Sequence, residues 1–204
     1  MFDFDGVIGQ TMDDNFTAWK YALARYAIDI ERTEYFLLEG MPPRKVAEHF
    51  LIQNSQSPSL ISEIVLLKEK YYMENNTFAL YDDVEPLLSR LRKKRYSLGL
   101  VSGGSYVRLS RSLKSQNLAR FDVIITADEV DNGKPHPAPY LKAAGKLGID
   151  PAVCLAVENA PLGIESAKRA GMYCIAVTRT LDKKYLTGAD EVIDSLTDIE
   201  KLLE

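Results

Sequence analysis

Four short apolar runs constrain the fold of this chain more than any other feature. They are "SLGLV" (97–101), "DVIIT" (122–126), "VCLAV" (153–157) and "YCIAV" (173–177). A strand with one wet face alternates apolar and polar residues. Runs that stay apolar suit strands buried on both faces, as in a parallel sheet covered by helices. Parallel strands need long crossovers, and helical patterns fill the intervals. "DDVEPLLSRLRKKR" puts Val84, Leu87, Leu88 and Leu91 on one face, with Asp82 and Glu85 spaced as a capping box and Pro86 in the first turn. "HPAPYLKAAGKLG" and "PLGIESAKRAG" open on proline and close on Gly148 and Gly171. The alternation predicts an α/β protein with a doubly wound, Rossmann-like parallel sheet.

Residues 11–80 break that alternation. "TMDDNFTAWKYALARYAI" places Phe16, Trp19, Leu23 and Tyr26 at helical spacing, with Thr11 and Asp14 as a second candidate capping box. "PPRKVAEHFL" and "SLISEIVLLKEKYYME" are further helical patterns, and no strand pattern lies among them. The expectation is an all-helical cap, residues 11–80, inserted after strand one into a core made of residues 1–10 and 81–204. Two chain crossings, near 9–13 and 78–82, would join the bodies and form a hinge.

Ligands of open parallel sheets gather beyond the carboxyl ends of the strands. The first strand ends in Asp3 and runs on to Asp5. The next ends in Ser102, followed by Gly103 and Gly104, and the third in Thr126. The fourth ends in Glu158 and Asn159, and Lys134 follows the third in "GKPHPAPY". A carboxylate can attack phosphorus to give an aspartyl-phosphate. A second carboxylate two residues on can protonate the leaving oxygen and then activate water. Acids this close call for a hard cation, and Mg²⁺ suits oxygen ligands. Ser102 and the backbone N–H groups after it can hold phosphate oxygens, and Lys134 can act as a fixed charge between nucleophile and phosphoryl group. Singly, each residue has an ordinary structural explanation: a turn, a loop, a helix cap before Pro161. Order and spacing together carry the reading.

In that order the segments resemble the motifs of the haloacid dehalogenase superfamily of aspartate-dependent phosphohydrolases. They are "DFDGV", the Ser of "LGLVSGG", the Lys of "GKPHPAPYLKAAGKLGI", and "LAVENAPLGIESAKRAGM". The helical insert resembles the small cap of the β-phosphoglucomutase-like and phosphoglycolate-phosphatase-like branch. The resemblance implies Asp3 as nucleophile and Asp5 as acid/base. It implies phosphoryl binding by Ser102, Gly103 and Lys134, and Mg²⁺ held by Asp3, the backbone carbonyl of Asp5, Glu158 and Asn159. An acid at position 5 resembles the phosphate-processing members rather than the dehalogenases.

Two departures stand out. Asn159 occupies a place where the family usually has a second acid, which predicts a metal site that forms but binds more weakly. In the cap, Gln10-Thr11 and Asn15 replace an Asp-Thr pair and a histidine of the mutases. Glu39 replaces a sugar-gripping lysine, Arg44 falls one position late, and Lys68 lines up with another mutase cap lysine. Asn15, Glu39, Arg44 and Lys68 are therefore the candidate specificity residues, while Met12, Phe16 and Trp19 read as cap core. The expected activity is Mg²⁺-dependent hydrolysis of a small phosphorylated metabolite through an aspartyl-phosphate. The alternatives are a sugar-phosphate mutase and a catalytically impaired phosphate-binding protein.

A net charge of −4 gives no basic field for nucleic acid. The one basic cluster, "RLRKKR", ends a helical pattern where cations are favoured. No apolar run approaches the ~18 residues of a membrane span. Cys154 and Cys174 lie in apolar runs and read as buried, reduced thiols, which fits a cytoplasmic setting. His49 and His136 are the only histidines, with no cysteine at zinc-site spacing. The resemblance implies a monomer. Only Met1 and Phe2 precede Asp3. A central strand starting there would bury a charged amino terminus, so the expectation is that the natural protein has residues upstream; a water-accessible notch below Met1 is the alternative.

Overall fold

The structure is a computed structural model that describes residues 1–203. Its centre is a six-stranded sheet in the order β3-β2-β1-β4-β5-β6, every pair parallel. The strands are β1 (Phe2–Asp3), β2 (Gly99–Val101), β3 (Val123–Ile125), β4 (Leu155–Glu158), β5 (Tyr173–Val177) and β6 (Glu191–Ile193). The four apolar runs fall on β2 to β5. β6 lacked a sequence signal because it is a short edge strand that begins on an exposed glutamate. The chain steps outward from β1 to β3, then returns to the other side of β1 with β4. That reversal opens a crevice beyond the carboxyl ends of β1 and β4.

Successive strand residues point to opposite faces, so neighbours join different cores. Leu100, Val157 and Ile175 pack with Phe2, Leu87 and Leu91 on one face, against α5 (Val84–Lys93). Val101, Ala156 and Cys174 pack with Tyr140 and Ile164 on the other, against α8 (Ala138–Leu147) and α9 (Pro161–Arg169). Gly148 ends α8 in the left-handed region, φ +68°. Between β2 and β3 lie α6 (Tyr106–Ser112) and α7 (Ser115–Leu118), and α10 (Ile199–Leu202) ends the described chain.

The stretch between β1 and α5 is helical: α1 (Met12–Ala24), α2 (Arg32–Leu37), α3 (Pro43–Gln53) and α4 (Ile61–Asn75). Trp19, Phe36, Phe50, Leu51 and Ile64 are buried among these helices. The two crossings run side by side. Gln10 N donates to Ala79 O at 2.8 Å and Tyr81 N to Ile8 O at 3.3 Å. Neither expected capping box forms. Asp83, not Asp82, precedes α5, and its carboxylate is taken by Arg179; Thr11 precedes α1, but its hydroxyl turns to Asp5.

Met1 is buried, and its amino group donates to Leu155 O at 2.7 Å. Burial lowers the pKa of that amine to about 6. Beside it lies a cavity of about 170 Å³ lined mainly by apolar side chains, among them Phe2, Leu98, Leu147 and Ile199. Cys154 and Cys174 are buried and unpaired in disulfides. Among the described residues no helix is long and apolar enough to cross a membrane.

Candidate active site

Asp3 is the last residue of β1, and the chain turns at once. Phe4 O accepts from Ile8 N at 3.0 Å and Gly9 N at 2.9 Å, which coils residues 4–9 over the sheet edge. Gly6 sits at φ +83° in that coil, and a Cβ there would lie 2.2 Å from Asn159 Nδ2. Only glycine lets the loop pass this close to the end of β4. The coil turns Asp3 and Asp5 into separate surroundings, both out of water.

Asp3 belongs to a lysine-centred cluster. Lys134 Nζ donates at 2.6 Å to Asp3 Oδ1 and at 2.6 Å to Glu158 Oε1, and reaches Val101 O, beside Ser102, at 3.4 Å. Tyr140 on α8 donates to the same Glu158 oxygen at 2.5 Å. Burial pushes the Asp3 carboxyl well above its ordinary range, against the pull of Lys134 and with the repulsion of Glu158 and Asp5. Burial also opposes charge on Lys134, but Asp3 and Glu158 outweigh it and hold the ammonium on. Ser102 follows β2 as expected; its N donates to Ile125 O at 2.9 Å and its Oγ accepts from Gly104 N at 3.1 Å. Gly103 lies between them, against the turn at Gly40 of the helical insert.

Asp5 faces the insert instead. Its Oδ1 accepts from Thr11 Oγ1 at 2.6 Å and Asn15 Nδ2 at 3.2 Å, and its Oδ2 from Arg108 Nη2 at 2.5 Å. Burial pushes this carboxyl up too, but the Arg108 charge and the Thr11 and Arg108 hydrogen bonds prevail and hold it below the usual value. Asp3 is thus held toward its protonated form and Asp5 toward its ionised form, each opposite to the state in which a nucleophile or a general acid works.

Asn15 Oδ1 accepts from Lys68 Nζ at 2.8 Å and Arg108 Nη1 at 3.0 Å. Lys68 also reaches Glu69 Oε1 at 3.0 Å, and burial lowers its pKa. Glu39 is half-buried, accepts from Tyr35 Oη at 2.7 Å, and has its pKa raised by burial and by the charge of Asp5. So Asn15, Glu39 and Lys68 converge on one cavity beside Asp5. Arg44 does not join them. It is exposed, donates to Ser62 Oγ at 3.0 Å, and lines an outer groove with His49 and His136. Its place in α3, after the prolines, turns it outward.

Sequence reasoning missed Arg108 and Tyr140. Arg108 is buried in α6, while Arg111 of the same helix is exposed. Only the three-residue step from Ser105, whose hydroxyl caps Arg108 N at 3.3 Å, hints at its orientation. Tyr140 falls inside the helical pattern "HPAPYLKAAGKLG", where nothing in the sequence marks its hydroxyl as a partner of Glu158.

Asn159 bears on a metal. Its Nδ2 donates to Thr180 Oγ1 at 3.0 Å, but its Oδ1 is fully buried and has no hydrogen-bond partner. An orphaned buried carbonyl costs ~1–3 kcal/mol, which a hard cation would offset. Among the described residues no three His, Cys, Asp or Glu side chains gather into a metal cage. The available set is a carboxylate of Asp3, the Asp5 carbonyl and Asn159 Oδ1, with one Glu158 oxygen, Oε1, already engaged by Lys134 and Tyr140. These oxygens fit Mg²⁺, which keeps several waters.

A six-stranded parallel sheet with two buried carboxyls at its switch point defines a Rossmann-like α/β protein with its candidate site at the sheet's carboxyl edge. A family model described as haloacid dehalogenase-like hydrolase matches residues 1–177, and the chain belongs to that family. It is 30% identical over 202 residues to validoxylamine A 7'-phosphate phosphatase of Streptomyces hygroscopicus subsp. limoneus, covering 98% of this chain and 94% of the relative. It is 28% identical over 208 residues to β-phosphoglucomutase of Bacillus subtilis, covering 98% of this chain and 90% of that one. Among solved structures, CbbY of Rhodobacter sphaeroides in complex with phosphate superposes with TM-score 0.81 at 25% identity, covering 97% of this chain and 94% of the other.

Proposed function

We propose that this protein is a Mg²⁺-dependent phosphatase that hydrolyses a small phosphorylated metabolite through an aspartyl-phosphate. The observation that carries the reading is Lys134 Nζ at 2.6 Å from both Asp3 and Glu158, with Asp5 held apart by Arg108 and Thr11. In this mechanism Asp3 works ionised and Asp5 protonated: an oxygen of Asp3 attacks phosphorus, the bond from phosphorus to the leaving oxygen breaks, and Asp5, having left Arg108 and taken a proton from solvent, gives that oxygen the proton. Asp5 then takes a proton from water as the water attacks phosphorus. The acyl-phosphate is cleaved, and inorganic phosphate and free Asp3 result. Lys134, Ser102 and the Gly103 N–H hold phosphoryl oxygens. Asp3, the Asp5 carbonyl and Asn159 would hold Mg²⁺, whose charge, when bound, offsets that of the phosphoryl oxygens.

The cavity beside Asp5 leaves about 20 Å³, close to what one water requires. A substrate therefore needs residues 11–80 to swing away as a cap about the crossings at 8–10 and 79–81. The phosphatase relative supports hydrolysis, and the β-phosphoglucomutase relative keeps a mutase as the second reading. Phosphate release from p-nitrophenyl phosphate with Mg²⁺ tests the first. Isomerisation of β-glucose 1-phosphate without net phosphate would replace it with the second. Phosphate-ester binding without turnover of any ester would leave an impaired phosphate-binding protein.

A further inference from the structure

We infer that Tyr72 and Gly104 are positioning residues that seat the Arg108 guanidinium, so that it stays in place when Asp5 parts from it. The inference rests on the phosphatase reading, in which Asp5 must leave Arg108 before it serves the leaving oxygen.

The need for a seat follows from the ion pair. Arg108 and Asp5 meet at 2.5 Å, and both are almost wholly buried. Arginine has a long side chain with several rotatable bonds, and a carboxylate moving through a dry site pulls its counter-ion after it. A guanidinium that followed Asp5 would keep the carboxylate ionised and crowd the leaving group. One that stays loses its acid while still buried, and needs other groups to hold it.

Three groups besides Asp5 surround it. Asn15 Oδ1 accepts from Nη1 at 3.0 Å. The Tyr72 ring, on α4, has its centroid 5.3 Å from Cζ. Gly104, on the loop after β2, leaves open the space that the guanidinium fills. A Cβ there would lie 2.2 Å from Nη2, 2.5 Å from Nε and 2.7 Å from Cζ. The Gly104 backbone lies outside the left-handed region, so it is the guanidinium, and not the loop's conformation, that leaves no room for a side chain. Tyr72 is buried, and its Oη has no hydrogen-bond partner. Burial also raises the pKa of this phenol. Tyr72 therefore meets the cation as a neutral ring, through its face, and such a contact is strongest where water is excluded. The same ring lies 5.1 Å from Lys68 Nζ. A change at Tyr72 thus touches two cations, whereas a change at Gly104 presses on Arg108 alone.

Phenyl phosphate and p-nitrophenyl phosphate, assayed with Mg²⁺, separate lost positioning from general damage. Phenoxide is the poorer leaving group and gains more from a proton than nitrophenoxide does, and kcat/KM covers the step in which it departs. Tyr72→Leu and Gly104→Ala should each lower the phenyl-to-nitrophenyl ratio of kcat/KM about fivefold, in line with one desolvated cation–π contact. Tyr72→Phe keeps the ring face and should restore the wild-type ratio. In Arg108→Met no cation remains to be seated, so adding Tyr72→Leu should move the ratio less than about twofold. An unchanged ratio in either single variant, shown folded by melting curves, overturns the inference and leaves the phosphatase reading standing. An undiminished loss in the Arg108→Met background does the same, because Tyr72 then acts through something other than Arg108. If Tyr72→Leu fails to fold, Gly104→Ala decides the matter with the insert's packing intact. A wild-type protein that turns over only the nitrophenyl ester shows no proton delivery by Asp5 and also overturns the inference. Phosphate from neither ester defeats the phosphatase reading and this inference with it.

Discussion

Arg108 Nη2 and Asp5 Oδ2 lie 2.5 Å apart, with both side chains almost out of contact with water. The pair joins the helix after β2 to the loop after β1, and Thr11 Oγ1 holds the other Asp5 oxygen at 2.6 Å. Asp5 is therefore ionised at rest, and must leave Arg108 and take up a proton before it can protonate a leaving group. Its two duties separate in two variants. Asp5→Asn keeps an acceptor for Arg108 and Thr11 but cannot transfer a proton, so kcat should fall ~10²–10⁴-fold with a small change in Tm. Asp5→Ala should be as inactive, and also less stable by ~3–5 kcal/mol, because it leaves a buried guanidinium unpaired. Equal stability of the two variants in urea denaturation would refute the buried-pair account.

Gly163, in the first turn of α9, has no space for a side chain. A Cβ there would lie 2.1 Å from Glu158 Oε2 and 2.2 Å from Cδ. Gly163→Ala must displace the carboxylate that shares Lys134 with Asp3. Expected is a loss of about tenfold or more in kcat/KM from misplacement of the lysine alone, measured on an aryl phosphate. The control is Gly145→Ala, where an added Cβ meets nothing and activity should hold.

These contacts mark what the sequence revealed and what it hid. Strands buried on both faces leave continuous apolar runs, so β2 to β5 could be read, and the residues ending them fell at one sheet edge. The short edge strand β6 has no such run. Asp3, Ser102, Lys134 and Glu158 were legible because each ends or directly follows a strand or sits in a motif of set spacing. Arg108 was not, since a helical arginine reads the same whether it faces water or a carboxylate across the fold. Thr11 and Asp83 looked like capping residues, but tertiary partners outbid the local helix ends: Asp5 for one, Arg179 for the other. Arg44 was placed by alignment to a cap pattern, and the turn at Pro42-Pro43 sends it to the outer groove.

Asn159 offers a test that separates metal binding from folding. Its Oδ1 is buried without a partner while Nδ2 is fixed by Thr180. Asn159→Asp adds a negative charge near Asp3 and Glu158. Without Mg²⁺ the variant should melt below wild type, because like charges are then buried together. With Mg²⁺ it should recover more than wild type does, through mass action on the folded state, and half-saturate at lower metal concentration. Melting curves across a Mg²⁺ titration give both quantities. A half-saturation equal to wild type would rule out Asn159 as a ligand.

The last prediction concerns acid stability. Asp83, before α5, accepts from Arg179 Nη2, from Ser195 Oγ at 2.9 Å and from Leu196 N at 3.0 Å, and Arg179 Nη1 goes on to Val7 O at 2.6 Å. This chain of bonds ties the segment after β6 to the loop that carries Asp5. Burial raises the Asp83 pKa, but the bonds from Arg179 and Ser195 outweigh it and hold the carboxyl below its ordinary value. With the folded pKa below the unfolded one, near ~3.9, the unfolded state binds more protons between the two, and stability rises with pH there. The contribution is complete above the unfolded pKa and is lost as pH falls through the folded one. Asp83→Asn should therefore cost about 1–2 kcal/mol at pH 7, allowing for partial solvent screening, and progressively less toward pH ~3. Urea denaturation of both proteins at several pH values measures this convergence. A gap that stays constant down to that pH would show that Asp83 acts by shape rather than charge.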